Sequence, residues 1–266
     1  MNNYYKNKVV WITGASSGIG RALCLAFAQN GAQLIISSRK EKELEKLQNE
    51  CHGFNATCMV IPLDLSQSTD FIKKTTSVID RFEKIDFLFL NGGISQRSYA
   101  KDTPLEIDRQ LMEVNYFGNV ALAKAVLPYM IKENAGHIAV TSSIVGAFGF
   151  ALRSTYSASK HALHGFFESL RAEHYQNNIK VSIIIPGRVN TQISLNALTQ
   201  NGEAYGKLDQ GQANGISAEK AAQIILKGIK KEKKEIMVGG KEIWMVYLRR
   251  YLPFVFYKIA NKVKKK

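Results

Sequence analysis

A tyrosine and a lysine four residues apart, Tyr156 and Lys160, are the first side chains in this sequence that could carry out chemistry together. The surrounding segment has a helical pattern, and residues four apart on a helix lie on the same face. An ammonium group beside a phenol lowers the pKa of the phenol from its usual value of about 10. Such a tyrosine can protonate a carbonyl oxygen or deprotonate an alcohol near neutral pH. Alone, the pair is a weak signal, because both residue types are common on helix surfaces.

Ser143 can add a hydroxyl group to this pair. It lies thirteen residues before Tyr156, where a predicted strand ends. Ligands of open parallel sheets bind at the carboxyl ends of the strands. We therefore expect the Ser143 hydroxyl to lie beside the Tyr156 phenol.

A glycine-rich turn near the N terminus is the second chemical signal. The sequence TGASSGIG covers residues 13–20, between an apolar strand and a helix that begins near Ile19. Glycines let the chain turn tightly and let a pyrophosphate approach the backbone, and the free N–H groups of a helix start face the anion. The spacing differs from the G-x-G-x-x-G of other dinucleotide-binding folds. Without further signals, the motif would also fit a tight loop that binds nothing.

The elements that must position these residues alternate along the chain. Strands are predicted at Val9–Thr13, Gln33–Ser38, Thr57–Pro62, Asp86–Asn91, His137–Ser142, Lys180–Ile185 and Glu235–Val238. Helices are predicted at Ile19–Asn30, Lys40–Glu50, Thr69–Phe82, Pro104–Lys132, Thr155–Asn177 and Ala218–Ile229. The alternation is typical of a parallel sheet with helices on both faces. It predicts an α/β fold, a single Rossmann-type doubly wound sheet of seven strands.

One segment, residues 188–217, breaks this alternation. It is rich in Asn, Gln, Gly and Thr and has few large apolar residues. A long loop of this kind in a compact domain is often an active-site lid. We predict a substrate lid there, within a catalytic domain formed by residues 1–240.

Composition excludes several classes of protein. The chain has 45% hydrophobic and 22% charged residues, as ordinary globular proteins do. Its three cysteines form no C-x-x-C pair, and no signal-peptide pattern opens the sequence, so we expect a cytoplasmic protein. The net charge of +14 is concentrated in residues 227–266, which hold thirteen Lys or Arg against three Glu. No nucleic-acid recognition motif accompanies these cations, so we expect no nucleic-acid partner.

The motifs together resemble the short-chain dehydrogenase/reductase family, from Lys8 to about Met237. Asn91-Gly92-Gly93 is similar to the family's Asn-Ala-Gly, with Gly in place of the middle Ala. Asn115 resembles the family's helix asparagine, and the segment 186–191 resembles its proline-glycine motif. The resemblance implies an oxidoreductase that transfers a hydride between a nicotinamide cofactor and a carbonyl or secondary alcohol.

The resemblance implies catalytic roles for Asn115, Ser143, Tyr156 and Lys160. Tyr156 would be the general acid/base, Ser143 would bind the substrate oxygen, and Lys160 would hold the nicotinamide ribose and lower the pKa of Tyr156. Asn115 would hold a water molecule that links Lys160 to solvent. The implied cofactor site consists of Gly14, Ser16, Ser17, Gly18, Ile19, Gly20, Ser38, Arg39, Asp64, Asn91, Gly92, Tyr156, Lys160, Val189 and Thr191.

The end of the second strand favours NADP(H) over NAD(H). An NAD site needs a carboxylate there, and the sequence has no acid before Glu41. Arg39 can form paired hydrogen bonds with a 2′-phosphate, with Ser38 as a second donor. Ser17, however, stands where many NADP-linked relatives carry a basic residue. Arg39 would also fit as a solvated residue at a helix start.

The expected substrate is a small apolar carbonyl or alcohol, similar to a lipid, steroid or retinoid. Residues 161–173 resemble the hydroxysteroid-dehydrogenase-like branch, where such substrates are typical. Phe148, Phe150 and Ile94 would line such a pocket, although the two aromatics would also fit the core. Arg153 would bind an acidic substrate or form a structural ion pair.

Three further expectations concern partners. The resemblance implies a homodimer or homotetramer, formed through the two long helices. We expect no metal, because His161, His164 and Glu168 share a helix face without a further ligand in the sequence. The rival interpretation is a catalytically silent dinucleotide-binding scaffold or sensor that acts through its basic tail. Retention of all four implied catalytic residues argues against it.

Residues 241–266 are predicted to form a basic amphipathic extension. Its apolar runs, Ile243–Leu248 and Tyr251–Tyr257, are far shorter than the ~20 residues that span a bilayer. A helix starting at Pro253 would have an apolar face of Val255, Phe256, Ile259, Ala260 and Val263, and a polar face of Lys258, Asn261, Lys262 and Lys265. Such a helix can lie peripherally on an anionic membrane. Alternatively, Trp244, Tyr251 and Phe254 would cover the substrate pocket or a subunit interface.

Overall fold

A seven-stranded parallel sheet forms the centre of the computed structural model, which describes residues 3–207 and 209–260. The strand order is β3-β2-β1-β4-β5-β6-β7, and every adjacent pair is parallel. The strands are β1 (Val9–Thr13), β2 (Gln33–Ser37), β3 (Cys58–Val60), β4 (Phe87–Leu90), β5 (Gly136–Thr141), β6 (Ile179–Pro186) and β7 (Glu235–Val238). The predicted α/β fold is confirmed.

Helices cover both faces of the sheet. They are α1 (Gly18–Gln29), α2 (Glu41–His52), α3 (Phe71–Phe82), α4 (Leu105–Met112), α5 (Gly118–Lys132), α6 (Ser154–Glu173), α7 (Gln210–Ala213), α8 (Ala218–Lys230), α9 (Trp244–Tyr251) and α10 (Pro253–Ala260). Helices α1, α2 and α8 contribute to one core, whereas α3, α5 and α6 contribute to the other.

Strand β1 shows why the strands are almost continuously apolar. Successive side chains of a strand point to opposite faces. Val10 and Ile12 belong to the core with α1 and α8, while Val9 and Trp11 belong to the core on the other face. Because both faces are covered, every residue of this strand is buried and no polar alternation remains.

The strand order reverses between β1 and β4, which places a crevice at their carboxyl ends. Open α/β sheets bind ligands at such a topological switch point. The glycine-rich turn follows β1, and Asn91 follows β4. The fold therefore brings together motifs that lie far apart in the sequence.

The predicted long helix over residues 104–132 differs from the structure. A wide π-helical turn, Glu113–Phe117, separates α4 from α5 and contains Asn115. Such wide turns are rare within helices and frequently lie at functional sites. From this turn, the side-chain amide of Asn115 forms hydrogen bonds with the backbone of Ile94, in the loop that follows β4.

Residues 188–207 and 209–217 lie over the loop that follows β4. Single β-bridges pair Gln96 with Leu198 and Leu198 with Ala204. The short helix α7 begins after Asp209, whose side chain accepts a hydrogen bond from the backbone N–H of Gly211 at 2.8 Å. The segment thus contacts the crevice at the site predicted for a lid.

The helices α9 and α10 pack partly against the crevice, although not through the predicted aromatics. Phe256 is buried against Phe148, with their ring centroids 5.0 Å apart. Trp244, Tyr251 and Phe254 are instead 71%, 69% and 88% exposed, so the expectation that they cover the pocket is wrong within this chain. Phe256, which packs inward, belongs instead to the apolar face predicted for the helix that begins at Pro253.

Helix α10 begins at Pro253, as the sequence predicts. Its apolar face is only partly buried, because Val255 and Ile259 remain exposed. The assigned positions Asn261, Lys262, Val263 and Lys265 lie outside the described residues. Within residues 3–207 and 209–260, the helices are too short or too polar to cross a membrane.

Candidate active site

A cavity of about 760 Å³ lies at the carboxyl edge of the sheet. One part is formed by the glycine-rich turn and the end of β2, and the other by the start of α6 and the segment 188–217. The sequence-predicted residues that line it are Gly14, Ser16, Ser17, Gly18, Ile19, Ser38, Arg39, Asp64, Asn91, Gly92, Ser143, Tyr156, Lys160, Val189 and Thr191. Gly20 and Asn115 lie behind this lining.

The glycine-rich turn uses glycines for two different reasons. Gly14 and Gly18 have φ values of +64° and +54°, in the left-handed region that favours glycine. At Gly20 a side chain would collide with the turn, because its Cβ would lie 2.2 Å from the carbonyl oxygen of Gly14. The turn can therefore fold back tightly and leave the backbone N–H groups at the start of α1 beside the cavity.

This part of the cavity fits a dinucleotide. A helix start with free N–H groups binds pyrophosphate, and α1 presents one directly after the turn. Arg39 and Ser38 lie on the wall where the second ribose of a dinucleotide binds in this fold. Asp64 lines the same end, and its Oδ1 accepts hydrogen bonds from the backbone and hydroxyl of Ser66.

The other part of the cavity brings together the three side chains that the sequence predicts to lie side by side. Tyr156, Lys160 and Ser143 are all buried. The Ser143 hydroxyl donates to the carbonyl oxygen of Pro186 at 3.5 Å and lies close enough to the Tyr156 phenol to act on its pKa. Lys160 donates a hydrogen bond from Nζ to the carbonyl oxygen of Thr141 at 2.8 Å, and its Nζ lies 5.8 Å from the centroid of the Tyr156 ring. The arrangement can deliver a proton and hydrogen bonds to one oxygen atom of a ligand.

The pKa of Tyr156 departs from the sequence expectation. Burial raises its pKa above the usual value, while the positive charge of Arg153 and the nearby Ser143 hydroxyl oppose this rise. Burial also lowers the pKa of Lys160 to about 8. In this geometry the Lys160 ammonium points to the carbonyl of Thr141, and its lowering of the Tyr156 pKa stays a prediction. The cations whose charges oppose the rise are Arg153 and, more weakly, Arg97.

Asn115 holds the loop that follows β4. Its Oδ1 accepts from the backbone N–H of Ile94 at 2.8 Å, and its Nδ2 donates to the carbonyl of Ile94 at 2.9 Å and to the Ser159 hydroxyl at 3.1 Å. Gly93 permits this close approach, since a Cβ there would lie 2.8 Å from Oδ1 of Asn115. These contacts position the loop against α6, whereas the sequence resemblance implied a water-holding role.

The replacement of the family's middle alanine by Gly92 has a steric reason. A Cβ at Gly92 would lie only 2.6 Å from Cδ1 of Leu65. Leu65, in the loop after β3, is buried in the core and occupies the space that a methyl group would need. Glycine at this position therefore leaves room for the side chain of Leu65.

Sequence reasoning missed Gln96, a buried residue that positions the start of α6. Its Oε1 accepts hydrogen bonds from the backbone N–H groups of Thr155 and Tyr156 at 3.0 and 3.1 Å. Its Nε2 donates to the hydroxyl of Ser154 at 3.3 Å. Gln96 therefore fixes the first turn of the helix that carries Tyr156, across about 60 residues of sequence.

An apolar wall completes the cavity near Tyr156. Phe148, Phe150 and Ile94 line it, so the two aromatics that the sequence left between core and pocket belong to the pocket. Leu198 from the segment 188–217 and Met245 and Ile259 from the C-terminal helices extend the same wall. An apolar chain would therefore be accommodated between the sheet edge and the last two described helices.

The histidines of α6 have ordinary partners. His161 pairs with the carbonyl of Ser157, and His164 pairs with the Ser142 hydroxyl. The ligand atoms of His164, Glu168 and Glu235 lie within 4.8 Å of one another. Exposed acids commonly gather without an ion, so we assign no metal site to this group.

Comparison with known proteins agrees with this geometry. Residues 8–202 match the family model of the short chain dehydrogenases. The chain is 41% identical over 265 residues to a "Dehydrogenase/reductase SDR family protein 7-like" of Drosophila melanogaster, covering 98% of this chain and 81% of the relative. It is 40% identical to "Dehydrogenase/reductase SDR family member 7B" of Mus musculus, covering 98% of this chain and 83% of the relative.

Solved structures share the fold. A short-chain dehydrogenase/reductase from Burkholderia phymatum, in complex with NAD, superimposes with a TM-score of 0.85 at 21% identity over 96% of both chains. An alcohol dehydrogenase from Thermococcus sibiricus, complexed with 5-hydroxy-NADP, gives a TM-score of 0.76 at 24% identity over 89% of this chain and 97% of the other. With the family match and the close relatives, the conclusion is that the chain belongs to the short-chain dehydrogenase family of NAD(P)-dependent oxidoreductases.

Proposed function

We propose that the protein transfers a hydride between NADP(H) and an apolar ketone or secondary alcohol, with Tyr156 as the general acid/base. One observation carries the proposal. A single cavity joins the glycine-rich turn and Arg39 at one end to buried Tyr156, Ser143 and an apolar wall at the other. Residues 1–240 form the catalytic domain, with residues 188–217 as the substrate lid and residues 241–266 as a basic tail.

The chemistry divides between the cofactor and the chain. When bound, the cofactor supplies the hydride, and the protein supplies orientation and the proton. In reduction, the Tyr156 hydroxyl donates its proton to the carbonyl oxygen as negative charge develops there, and Ser143 donates a hydrogen bond to the same oxygen. The raised pKa of Tyr156 keeps the phenol protonated at neutral pH, which suits the reduction direction.

Lys160 serves two groups from one position. Its ammonium, held by the Thr141 carbonyl at 2.8 Å, can donate to ribose hydroxyls and can stabilise the phenolate that remains after proton transfer. Asn115 acts through other residues, because it positions the loop of Ile94 and the Ser159 side of α6. The remaining cofactor contacts are assigned to the residues that line the other end of the cavity, including Asn91, Val189 and Thr191.

The preference for NADP(H) rests on the charge at the end of β2. Arg39 is exposed on the cavity wall, where its guanidinium can bind a 2′-phosphate. The Ser38 side chain lines the same wall, and its hydroxyl accepts from the backbone N–H of Lys40 at 3.0 Å, which leaves its O–H available as a donor. A carboxylate would favour NAD(H) instead, and the first acid along the chain is Glu41, the first residue of α2.

Replacing Arg39 by aspartate should reverse the cofactor preference. The Arg39→Asp variant is expected to bind NADPH at least about tenfold more weakly, because an attractive contact with the phosphate becomes a repulsive one. NADH affinity should stay equal or rise. Fluorescence titration of both cofactors gives the dissociation constants, and Arg39→Lys is the matched control that keeps the charge. Equal affinity of the unmodified protein for NADPH and NADH would contradict the proposed role.

The apolar substrate class follows from the wall beside Tyr156. We expect kcat/KM for ketone reduction to rise with alkyl length across a series of 2-alkanones, from butanone to dodecanone. Each buried CH₂ contributes about 0.8 kcal/mol, which corresponds to roughly fourfold in kcat/KM until the wall is filled. The rate of NADPH oxidation, followed by absorbance at 340 nm, gives kcat/KM for each ketone. A flat response to chain length would contradict an apolar subsite.

The C-terminal helices also present a surface suited to an anionic membrane. Trp244, Tyr251 and Phe254 are exposed there, and Arg249 and Arg250 lie on the same helix as two of them. Aromatic side chains with neighbouring cations suit the headgroup region of a bilayer. Met245 of α9 lines the cavity, so a protein on the membrane surface would receive an apolar substrate next to its pocket.

Vesicle sedimentation tests this membrane contact. The full chain is expected to sediment with anionic vesicles at low salt and to be released from them at high salt. It should not sediment with neutral vesicles. A chain that ends at Gly240 and the double variant Trp244→Ser/Phe254→Ser should both stay in the supernatant. Tyr175→Ser is a matched control, because Tyr175 is 80% exposed and follows α6, outside the tail. Failure of the full chain to sediment with anionic vesicles at low salt would refute the membrane contact.

Self-association remains part of the proposal. Leu105 on α4 and Phe117 at the end of the π-helical turn are exposed apolar residues of the helical region predicted to form the interface. Burial of such residues between copies would support a homodimer or homotetramer.

A further inference from the structure

Two arginines meet one carboxylate on the wall of the cavity near Tyr156. Arg97 donates from Nη2 to Oδ2 of Asp209 at 2.6 Å, while a guanidinium nitrogen of Arg153 lies 3.6 Å from the same oxygen. The side chains of Arg97 and Arg153 are only 7% and 19% exposed. Asp209 is shared further, because its Oδ1 accepts from the backbone N–H of Gly211. One carboxylate therefore serves two largely buried cations.

A third arginine adds to the positive charge. Arg188 lines the same cavity, and its charge acts on Arg153. Glu242 offsets Arg188, since its carboxylate accepts a hydrogen bond from the backbone N–H of Arg188 at 2.7 Å. Among the described residues of this group, three guanidinium cations thus face two carboxylates. Of the two arginines that meet Asp209, Arg153 is the one without a hydrogen bond to it, because the distance of 3.6 Å exceeds hydrogen-bond length.

The position of Arg153 is costly unless a ligand uses it. Burial and, to a smaller extent, the neighbouring charge of Arg97 together lower its pKa to about 10. A largely buried cation is expensive without a well-placed acidic partner. Asp209 lies within hydrogen-bond distance of Arg97 and only within ion-pair distance of Arg153, so its carboxylate is directed at Arg97.

The location of Arg153 relative to the reacting groups indicates what it can bind. Arg153 directly precedes α6, three residues before Tyr156, and its charge acts on the phenol. The apolar wall of Phe148, Met245 and Ile259 belongs to the same cavity. A ligand that touches all three features has an acidic group, an oxygen at Tyr156 and an apolar chain.

We propose that Arg153 binds an acidic group of the substrate, so that the protein acts on ketones or secondary alcohols that carry a carboxylate or a phosphate as well as an apolar chain. This inference rests on the proposed function, because it concerns the same cavity. Arg97 remains hydrogen-bonded to Asp209, which caps the start of α7. Arg153 gives up its 3.6 Å contact with Asp209 and binds the acidic group of the substrate instead. Asp209 is accordingly a competitor for Arg153.

Substrate pairs that differ in charge test the proposal. The probes are 4-oxodecanoate, its methyl ester and a phosphate monoester of a hydroxyketone of the same length. Arg153→Gln is expected to raise KM for both acids at least about tenfold and to change KM for the ester less than about twofold. Asp209→Asn retains an N-cap side chain for α7 and should lower KM for the acids several-fold. The ratio between the carboxylate and phosphate probes identifies the acid that Arg153 prefers.

Matched variants separate charge recognition from damage to the fold. Arg153→Lys keeps the cation and should restore most of the affinity for the acids. Arg81→Gln removes an exposed cation of α3 and should leave all three KM values unchanged. The thermal midpoint and NADPH affinity of each variant report whether the fold and the cofactor site are intact. Equal loss of acid and ester in Arg153→Gln, with an intact fold, would overturn the proposal.

A binding measurement separates this inference from the proposed function. Calorimetry with decanoate, decyl phosphate and decanol, none of them a ketone, measures recognition without turnover. The acids should bind more tightly than decanol, and Arg153→Gln should remove the difference. If no ketone is reduced but this difference persists, the proposed reaction fails and the acid site stands. If decanol binds as tightly as the acids, the acid site is refuted while ketone reduction remains open.

Discussion

The Tyr156→Phe variant should lose carbonyl reduction almost completely, with kcat lowered by roughly 10²–10⁴-fold, the contribution typical of a positioned general acid. The variant keeps the ring that packs beside Val145 and Phe148 and removes the hydroxyl that carries the proton. Ser143 can still donate a hydrogen bond, but it cannot replace a phenol as the proton source. Initial rates of NADPH oxidation with a saturating medium-chain ketone measure the loss.

Binding and pH measurements complete the test of Tyr156. NADPH affinity and the thermal midpoint should change little in Tyr156→Phe, and Tyr175→Phe serves as a control at an exposed tyrosine. Because burial raises the pKa of Tyr156, the protonated donor is present through neutral pH, and reduction by the unmodified protein should decline only in the alkaline range. Turnover by Tyr156→Phe comparable to that of the unmodified protein would refute the mechanism. It would also revive the interpretation of Tyr156 as a structural residue.

The sequence predicts the sheet and the positions of its motifs because burial imposes a simple pattern on them. Both faces of the sheet are covered, so strands such as β1 are continuous apolar runs that stand out from the helices. The glycine-rich turn is equally visible, since the positive φ values at Gly14 and Gly18 favour glycine. These features depend on local chemistry and on the alternation of elements.

Residue roles that depend on contacts between distant segments could not be predicted from the sequence. Gln96 fixes the start of α6 through hydrogen bonds to backbone N–H groups about 60 residues away, and a lone glutamine in a loop carries no signal of that role. Asp209 likewise meets Arg97 only after residues 188–217 fold over the loop that follows β4. Such contacts between distant segments decide where the side chains of Arg97, Arg153 and Lys160 point.

The C-terminal helices illustrate the same limit. Their amphipathic pattern predicts a helix at Pro253, and the structure has one. The pattern does not determine which apolar side chains face the protein, because nearly all positions of α9 and α10 are apolar, aromatic or basic. Phe256 is buried because Phe148 lies opposite, a contact between segments more than 100 residues apart.

Replacing Lys160 should damage both cofactor binding and catalysis. In Lys160→Met the ammonium that can hold the ribose and stabilise the phenolate is removed, so we expect kcat to fall and the dissociation constant for NADPH to rise at least about tenfold. The carbonyl of Thr141 also loses its hydrogen bond, which costs about 1–3 kcal/mol of stability at a buried site. Lys160→Arg is the control that retains the positive charge.

The pH dependence of NADPH binding isolates the charge of Lys160. Burial lowers its pKa to about 8 in the cofactor-free protein, so the cation is present below pH 8 and is lost as the pH rises through that value. NADPH affinity of the unmodified protein should therefore weaken between pH 7 and 9, whereas Lys160→Met should show no transition in this interval. A loss of rate in Lys160→Met with unchanged NADPH affinity would confine Lys160 to the phenol and exclude its contact with the ribose.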